Sequence, residues 1–483
     1  MSGVHGNVLA HPATASSAQQ RFQAAFERQR IKALALRRST AAERIVKLQR
    51  LREALRAYRT EIHAALHADL HRPSVEVDLT EIMLSVQSIN HTIGHLKSWM
   101  RPRRVPGTLA MIGTFSFVRS EPKGVCLVIA PWNFPLNLLM IPLVSAIAAG
   151  NTAIVKPSEF TPATSALVLK IIASLFEPDE VTGFEGDASV SQALLELPFD
   201  HIFFTGSSAV GKVVMAAAAK HLTSVTLELG GKSPVIVDVS ADVRHTAKSL
   251  AFGKHQNAGQ ACIAPDHIYV HQSVAESFIK EYGAAMRSYL GEESQQQNSP
   301  DMSRIVSERH AQRLKKLLDD ALEKGAKVAI GGKTDTASRY IQPTLLTDVP
   351  DSANIMQEEI FGPLLPVLPY TDMAEPIRRI NAAPKPLALY IYAREQRLID
   401  RIVQNTSAGT TGINTCVIQY GQHNLPFGGV NNSGIGRAHG AEGFREFSNQ
   451  RSVIRNRFSP LLLFAPPYTG WVKKLAAFAA RWM

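Results

Sequence analysis

Between residues 124 and 230 the chain alternates short apolar runs with longer segments of helical pattern, and this alternation restricts the fold of the 483-residue sequence more than any other feature. Gly124-Val-Cys-Leu-Val-Ile-Ala130 carries no polar side chain, which suits a strand covered on both faces. A helical stretch from Asn137 to Ala149 follows, then a second strand from Thr152 to Lys156 and a helix from about Thr161 to Leu175. Asp200 to Thr205 and Val225 to Leu227 add strands on either side of a helix from Ser208 to His221. This rhythm predicts an α/β fold with a doubly wound parallel sheet, whose ligands lie at the carboxyl ends of the strands. From Lys232 to about Thr411 a second alternating pattern runs through Val235-Ile-Val-Asp238, His267-Ile-Tyr-Val270 and Leu387-Ala-Leu-Tyr-Ile-Tyr392. A second parallel-sheet domain is therefore expected, in keeping with a chain too long for one small core.

The flanks read differently. Residues 1–20 are rich in Ala, Ser, His and Gly, lack the pattern of a signal peptide, and are expected to be disordered. From Arg21 to Asp69 apolar residues such as Ile45, Leu48, Leu51, Leu55 and Tyr58 recur at helical spacing, and Thr40 with Glu43 has capping-box spacing. A third helix is predicted over Val77 to Met100, ending before Arg101-Pro-Arg-Arg-Val-Pro-Gly107, where an extended segment to about Arg119 begins. His63, His67 and His71 stand at successive i+4 positions, but no partner cluster accompanies them, so a solvated helix face is the better reading and no metal is expected. The polar segment Gly291 to Pro300 reads as an exposed loop.

Composition narrows the class. Apolar residues are 45% and charged residues 19%, as in a soluble globular protein. Cys126, Cys262 and Cys416 are odd in number and far apart, which fits reduced thiols in a reducing, cytoplasmic compartment better than a disulfide framework. The net charge of +11 is spread rather than gathered into a recognisable module, which argues against a nucleic-acid partner.

Within this frame, Asn257-Ala-Gly-Gln-Ala-Cys-Ile-Ala-Pro265 sets Cys262 among small residues that leave an approach to the thiol open. An isolated cysteine of this kind usually packs as a small hydrophobe. Pro131-Trp-Asn-Phe-Pro135, Leu227-Glu-Leu-Gly-Gly-Lys-Ser-Pro234, Glu358-Glu-Ile-Phe-Gly-Pro363, Phe204-Thr-Gly-Ser-Ser-Ala-Val-Gly211 and Lys156-Pro-Ser-Glu159 change the reading. Together, and in the order they take along the chain, the six segments resemble the NAD(P)-dependent aldehyde dehydrogenases, from about Arg21 to about Phe458. The start of the helical region close to the N-terminus and the Ile-Ala-Pro-Asp after Cys262 are most similar to class 3, whose members oxidise medium- and long-chain aliphatic or aromatic aldehydes.

The resemblance implies Cys262 as nucleophile, Asn133 with the Cys262 backbone N–H as oxyanion donors, and Glu228 as the base that activates water against a thioester. It implies a variant cofactor fold in which Gly206, Ser207, Val210 and Gly211 at a helix start cradle the pyrophosphate. Lys156 and Glu159 would hold the adenosine ribose, Glu359 and Phe361 the nicotinamide ribose and ring, with Trp132 and Ser158 also at the cofactor. A carboxylate at Glu159 suits ribose hydroxyls and favours NAD, although class 3 enzymes also accept NADP. The implied division is residues 21–101 and 125–229 for the cofactor domain, 230–414 for the catalytic domain, and 102–124 with 415–458 for a bridging arm that joins a homodimer. The chain departs from the family pattern at Asn431, where a glycine is usual, and at Asn414-Thr-Cys-Val-Ile-Gln-Tyr420, part of the substrate wall. Two other readings are a catalytically silent protein on the same fold and a form that passes the thioester to coenzyme A; the presence of Cys262, Glu228 and Asn133 argues against the first, and that of Glu228 against the second.

Residues 459–483 form an apolar tail. The prolines of Ala465-Pro-Pro-Tyr468 stop Leu461-Leu-Leu-Phe464 from extending into a spanning helix. Beyond them, Trp471, Val472, Leu475, Phe478, Ala479 and Trp482 share one helical face, with Lys473, Lys474 and Arg481 beside it. Such a helix lies in a membrane interface, or else docks on the protein's own surface and gates the substrate tunnel.

Overall fold

The computed structural model describes residues 12–108, 111–458, 462 and 464–482. One sheet has six strands in the order Gly434–Ile435, Ser224–Leu229, His201–Gly206, Val125–Ile129, Thr152–Lys156, Val181–Gly183. All neighbours are parallel except the two-residue edge strand Gly434–Ile435, which runs antiparallel. Every residue of Val125–Ile129 and of Thr152–Lys156 is buried, the physical reason these runs are apolar throughout. Alternate side chains serve opposite layers: Val125, Leu127 and Ile129 pack with Phe22 and Phe26, and Cys126 and Val128 pack with Leu48, Ile89 and Leu143.

A second sheet of seven strands follows the order Lys327–Ile330, Thr344–Thr347, Leu364–Tyr370, His267–His271, Pro234–Val237, Ala388–Tyr392, Thr410–Ile413. Only Lys327–Ile330, at its edge, is antiparallel. The α/β, doubly wound expectation therefore describes both sheets. In a third, three-stranded sheet, Thr114–Pro122 pairs with Arg103–Val105 on one side and with Ser448–Asn456 on the other.

Three local readings are corrected. The disorder expected to residue 20 gives way to a helix over Pro12–Leu36; the Pro stands where a helix tolerates one, and burial of Phe22 and Phe26 anchors the helix to the first sheet. Residues 1–11, also expected to be disordered, lie outside the described residues. The helix predicted over Val77 to Met100 starts earlier, at Ser74, and widens into a π-helical turn over Asp78–Ile82 before continuing as Met83–Trp99, its backbone right-handed throughout both junctions. Gly291–Pro300 is not wholly exposed, because Gln296 is buried and accepts a 3.3 Å hydrogen bond from Gln342, an amide pairing that composition does not reveal. The capping box at Thr40 and Glu43 forms as read.

Candidate active site

The loop that carries Cys262 is entered through three successive left-handed residues, Asn257 (φ 47°), Ala258 (φ 51°) and Gly259 (φ 74°). Alanine pays a steric cost in this region, so the surroundings must hold it there. Gln260 does much of the holding: its carboxamide donates to the carbonyls of Asn257 (2.9 Å) and Arg304 (3.1 Å) and accepts from the Val306 N–H (2.9 Å). Its own carbonyl accepts from the Asn133 side chain at 3.0 Å. An amide nitrogen has two protons, so Asn133, itself buried, keeps a second N–H to donate.

Behind Asn133 lies a cluster that the sequence did not reveal. Arg72 is fully buried, pairs with Glu81 at 2.6 Å and with Glu76 at 3.5 Å, stands over the Phe134 ring, and donates to the Asn133 carbonyl. Glu76 accepts from the Asn257 N–H (2.7 Å) and Glu81 from the Asn137 N–H (2.7 Å). The loops bearing Asn133 and Cys262 thus share one buried ion cluster. Burial raises the carboxyls of both glutamates, Glu81 to about 7, against the pull of Arg72.

Cys262 is half-buried and stands where two cavities meet. Burial, then the nearby Glu359 and Glu228, push its thiol up to about 12, while the N–H groups of Cys262 and Ile263 work the other way. Glu228, near the end of Ser224–Leu229, is buried and lines the smaller cavity with Thr205, Tyr420 and His439. Neither of its oxygens has a partner among the described residues, an uncommon state for a buried carboxyl. Burial raises it well above the usual carboxylate range; Arg437 opposes this and Glu446 adds to it.

The larger cavity is a cleft of about 630 Å³, reaching Cys262 past Leu79, Met83, Phe134, Phe252 and Ile418. Leu79 belongs to the π-helical turn, and Val417, Ile418, Gln419 and Tyr420 bring the departure noted at 414–420 into the wall. Asn431 adopts φ 57°. Asn tolerates this left-handed conformation where glycine would otherwise be usual, and the turn closes with a 3.1 Å bond from the Gly434 N–H to the Asn431 carbonyl.

The residues implied for the cofactor are set around the carboxyl ends of the first sheet. Ser207 caps the helix Ser208–Ala219, its hydroxyl accepting from the Val210 N–H at 3.4 Å. A Cβ on Gly211 would lie 2.6 Å from the Leu229 side chain, so glycine lets this helix sit close on its strand. Lys156, buried, donates to Glu159 at 2.7 Å; Ser158 is buried beside them and its carbonyl accepts from the Ser165 hydroxyl. Trp132 and Phe361, 229 positions apart (361 − 132), meet edge to face at 5.3 Å. Phe361 itself takes φ 49°. His310, for which the sequence carried no signal, packs against Trp132.

Glu359 lies over Gly230, where a Cβ would come within 2.0 Å of its Oε2. Burial raises its carboxyl to about 8, although the Gly231 N–H pulls it down. Lys232 ties this segment to the Glu228 strand: it pairs with buried Asp266 and donates to the carbonyls of Ile355 (2.8 Å) and Glu358 (2.9 Å). A capped helix start, a carboxylate within reach of a lysine and an aromatic pair fit the phosphates, hydroxyls and flat ring of a dinucleotide. His63 and Asp78 pair at 2.8 Å, and no group of three or more His, Cys, Asp or Glu among the described residues is placed to hold a metal.

The model of the aldehyde dehydrogenase family matches residues 2–453. Aldehyde dehydrogenase family 3 member B1 of Rattus norvegicus is 41% identical over 438 residues, 89% of this chain and 92% of the relative. The substrate-bound state of Staphylococcus aureus AldH superposes with a TM-score of 0.90 at 39% identity, covering 95% of this chain and 99% of that one. The NAD+ complex of a Bacillus cereus aldehyde dehydrogenase gives a TM-score of 0.83 at 28% identity over 91% and 89% of the two chains. With the family model matched from residue 2 to residue 453 and relatives matched along almost their whole length, the chain belongs to the aldehyde dehydrogenase family.

Proposed function

We propose that this NAD(P)-dependent aldehyde dehydrogenase oxidises medium- or long-chain aliphatic and aromatic aldehydes to carboxylic acids through a thioester on Cys262. One observation supports this reading above others: the thiol stands between an apolar cleft deep enough for a hydrocarbon chain and a small chamber holding an unpaired carboxyl. The Cys262 thiolate, formed by loss of the thiol proton to water, attacks the aldehyde carbon, and the developing oxyanion takes hydrogen bonds from the Asn133 amide and the Cys262 N–H. When bound, NAD(P) supplies the acceptor for the hydride that leaves the former aldehyde carbon. Lys156, Ser158 and Glu159 would hold its adenosine end, Gly206, Ser207, Val210 and Gly211 its phosphates, and Glu359, Phe361 and Trp132 its nicotinamide end, with NAD favoured by Glu159 and NADP also accepted. Glu228 then takes a proton from the water that attacks the thioester. Cofactor reduction measured against short, long and aromatic aldehydes tests the substrate class: kcat/KM should rise with apolar length or with an aromatic ring, because each buried methylene contributes about 0.8 kcal/mol. A panel on which short aldehydes are the best substrates would reject it.

The homodimer remains part of this reading. It is supported by apolar side chains that stay solvent-facing: Phe115 and Ile454 on the three-stranded sheet, and Val213 and Met215 on the helix Ser208–Ala219. Sedimentation at micromolar concentration should give twice the 52.8 kDa chain mass; a monomer would count against it.

The tail helix, Gly470–Trp482, leaves Trp471 and Phe478 exposed, with Val472 buried and Leu475 and Ala479 half-buried. The apolar face foreseen as a unit is thus split, one edge covered and the other open beside Lys473, Lys474 and Arg481. Among the described residues no helix is long and apolar enough to cross a membrane, and attachment to a membrane surface is proposed on the exposed Trp471 beside these cations. Removing residues 469–483 should weaken binding to anionic liposomes and spare oxidation of short, soluble aldehydes; undiminished liposome binding would reject the attachment.

A further inference from the structure

The chamber that holds Glu228 is walled on one side by His439, which is 2% exposed. Its backbone has φ 72° and ψ 141°, a region that side-chain-bearing residues seldom enter, so an imidazole is kept there at a conformational cost. Its ring stacks on Phe427 (5.2 Å), meets Tyr420 edge to face (4.6 Å) and lies 5.8 Å from the ring of His423. His423 lies 5.8 Å from His91, and His91 lies 4.3 Å from His95, which is exposed. Close packing holds this order in place: a Cβ on Gly440 would stand 2.2 Å from the His423 carbonyl and 3.1 Å from the His91 Nε2.

Three shielded ring nitrogens along this line, Nδ1 of His439 and both nitrogens of His423, have no hydrogen-bond partner among the described residues. Buried polar groups are nearly always paired, and three adjacent exceptions on one path call for an explanation. The 5.8 Å steps from His439 to His423 and from His423 to His91 leave room for a bridging water, and His91 and His95, at 4.3 Å, are in ring contact.

We infer that His439, His423 and His91, ending at His95 on the surface, form a proton path that carries away the proton Glu228 takes from the hydrolytic water. The inference rests on Glu228 acting as the base. Water oxygen bonds to the acyl carbon as its proton passes to the Glu228 carboxylate; the carbon–sulfur bond then breaks, and the electron pair returns to the Cys262 sulfur. Before another cycle Glu228, which is buried, must pass that proton on. A neutral imidazole accepts on one ring nitrogen while releasing from the other, so the proton moves outward and no ring holds a charge. Burial, then the neighbouring His423, lower His439 to about 3, and His423 and His91 are lowered as well. Uncharged rings are the form this transfer uses. The other titratable groups along the line are Tyr420 and Cys262 at the chamber, with Arg437 and Glu446 acting on Glu228.

The test uses p-nitrophenyl acetate, which acylates the thiol with loss of p-nitrophenolate and leaves a thioester for hydrolysis. The nitrophenolate burst counts folded, reactive sites, and the steady rate reads deacylation. His423→Phe and His439→Asn should retain the burst and slow deacylation on the order of 10-fold, the low side of a proton-transfer contribution. Added imidazole should restore the His423→Phe rate. Glu228→Gln should also slow deacylation, with no rescue by imidazole, so normal deacylation in that variant would show that the base is wrongly assigned rather than the path. Undiminished deacylation in both histidine variants, or a His423→Phe defect that imidazole leaves unchanged, would overturn the path.

Discussion

Cys262→Ala is expected to lose aldehyde oxidation by a factor on the order of 10⁴ or more while binding NAD+ about as tightly as the parent protein. The expectation follows from separation within the site. The thiol lies at the meeting of two cavities, whereas the groups assigned to the dinucleotide are Ser207 at a helix start, the Lys156–Glu159 pair and the Trp132–Phe361 contact. Removing one sulfur leaves all three intact. Calorimetric titration with NAD+ beside an assay of cofactor reduction decides the matter, and turnover within tenfold of the parent rate would end the covalent mechanism.

Glu228→Gln is expected to release a burst of NADH and then to turn over slowly, with thioester hydrolysis reduced about 10²- to 10⁴-fold. Gln is nearly isosteric but cannot take a proton from water, so acylation should survive and deacylation should not. The sign of the pH dependence follows from burial, which raises the Glu228 carboxyl well above its ordinary range. The carboxylate therefore forms at a higher pH than that of a free glutamate, and as pH rises through that raised value deacylation speeds up. The Gln variant should lack that rising limb. Equal loss of burst and steady rate, or an unchanged pH profile, would give Glu228 an earlier role.

The elements of the first sheet were legible because their burial is two-sided. Val125–Ile129 and Thr152–Lys156 are covered on both faces, so composition alone marks them, and the helix Asn137–Ala149 between them has the bounds its pattern gives. Motif segments likewise pointed to Cys262, Glu228 and Asn133, which the fold gathers around one loop and one cavity. Arg72, Glu76 and Glu81 escaped notice for a physical reason: a buried ion cluster is made of residue types that ordinarily mark a solvated helix face, and nothing local says that Arg72 will be fully buried. His310 and His439 escaped for a related one, since each gains its meaning from rings distant in the chain. The π-helical turn at Asp78–Ile82 falls inside an otherwise helical pattern, and only packing against the cleft distinguishes it.

The left-handed run at Asn257, Ala258 and Gly259 bears on how portable this nucleophile is. Its conformation is imposed from outside the segment, by Glu76 on the Asn257 N–H, by the Asn133 carbonyl on the Asn257 side chain, and by the Arg304 carbonyl and Val306 N–H on Gln260. Those four anchors come from three separate parts of the chain, so the nine residues from Asn257 to Pro265 carry the chemistry but not the shape that presents it. Transplanted into another α/β frame, the same segment would relax to ordinary right-handed or extended backbone, and its sulfur would point elsewhere. The reactive cysteine is in that sense a property of the assembled scaffold, inherited as a whole or not at all.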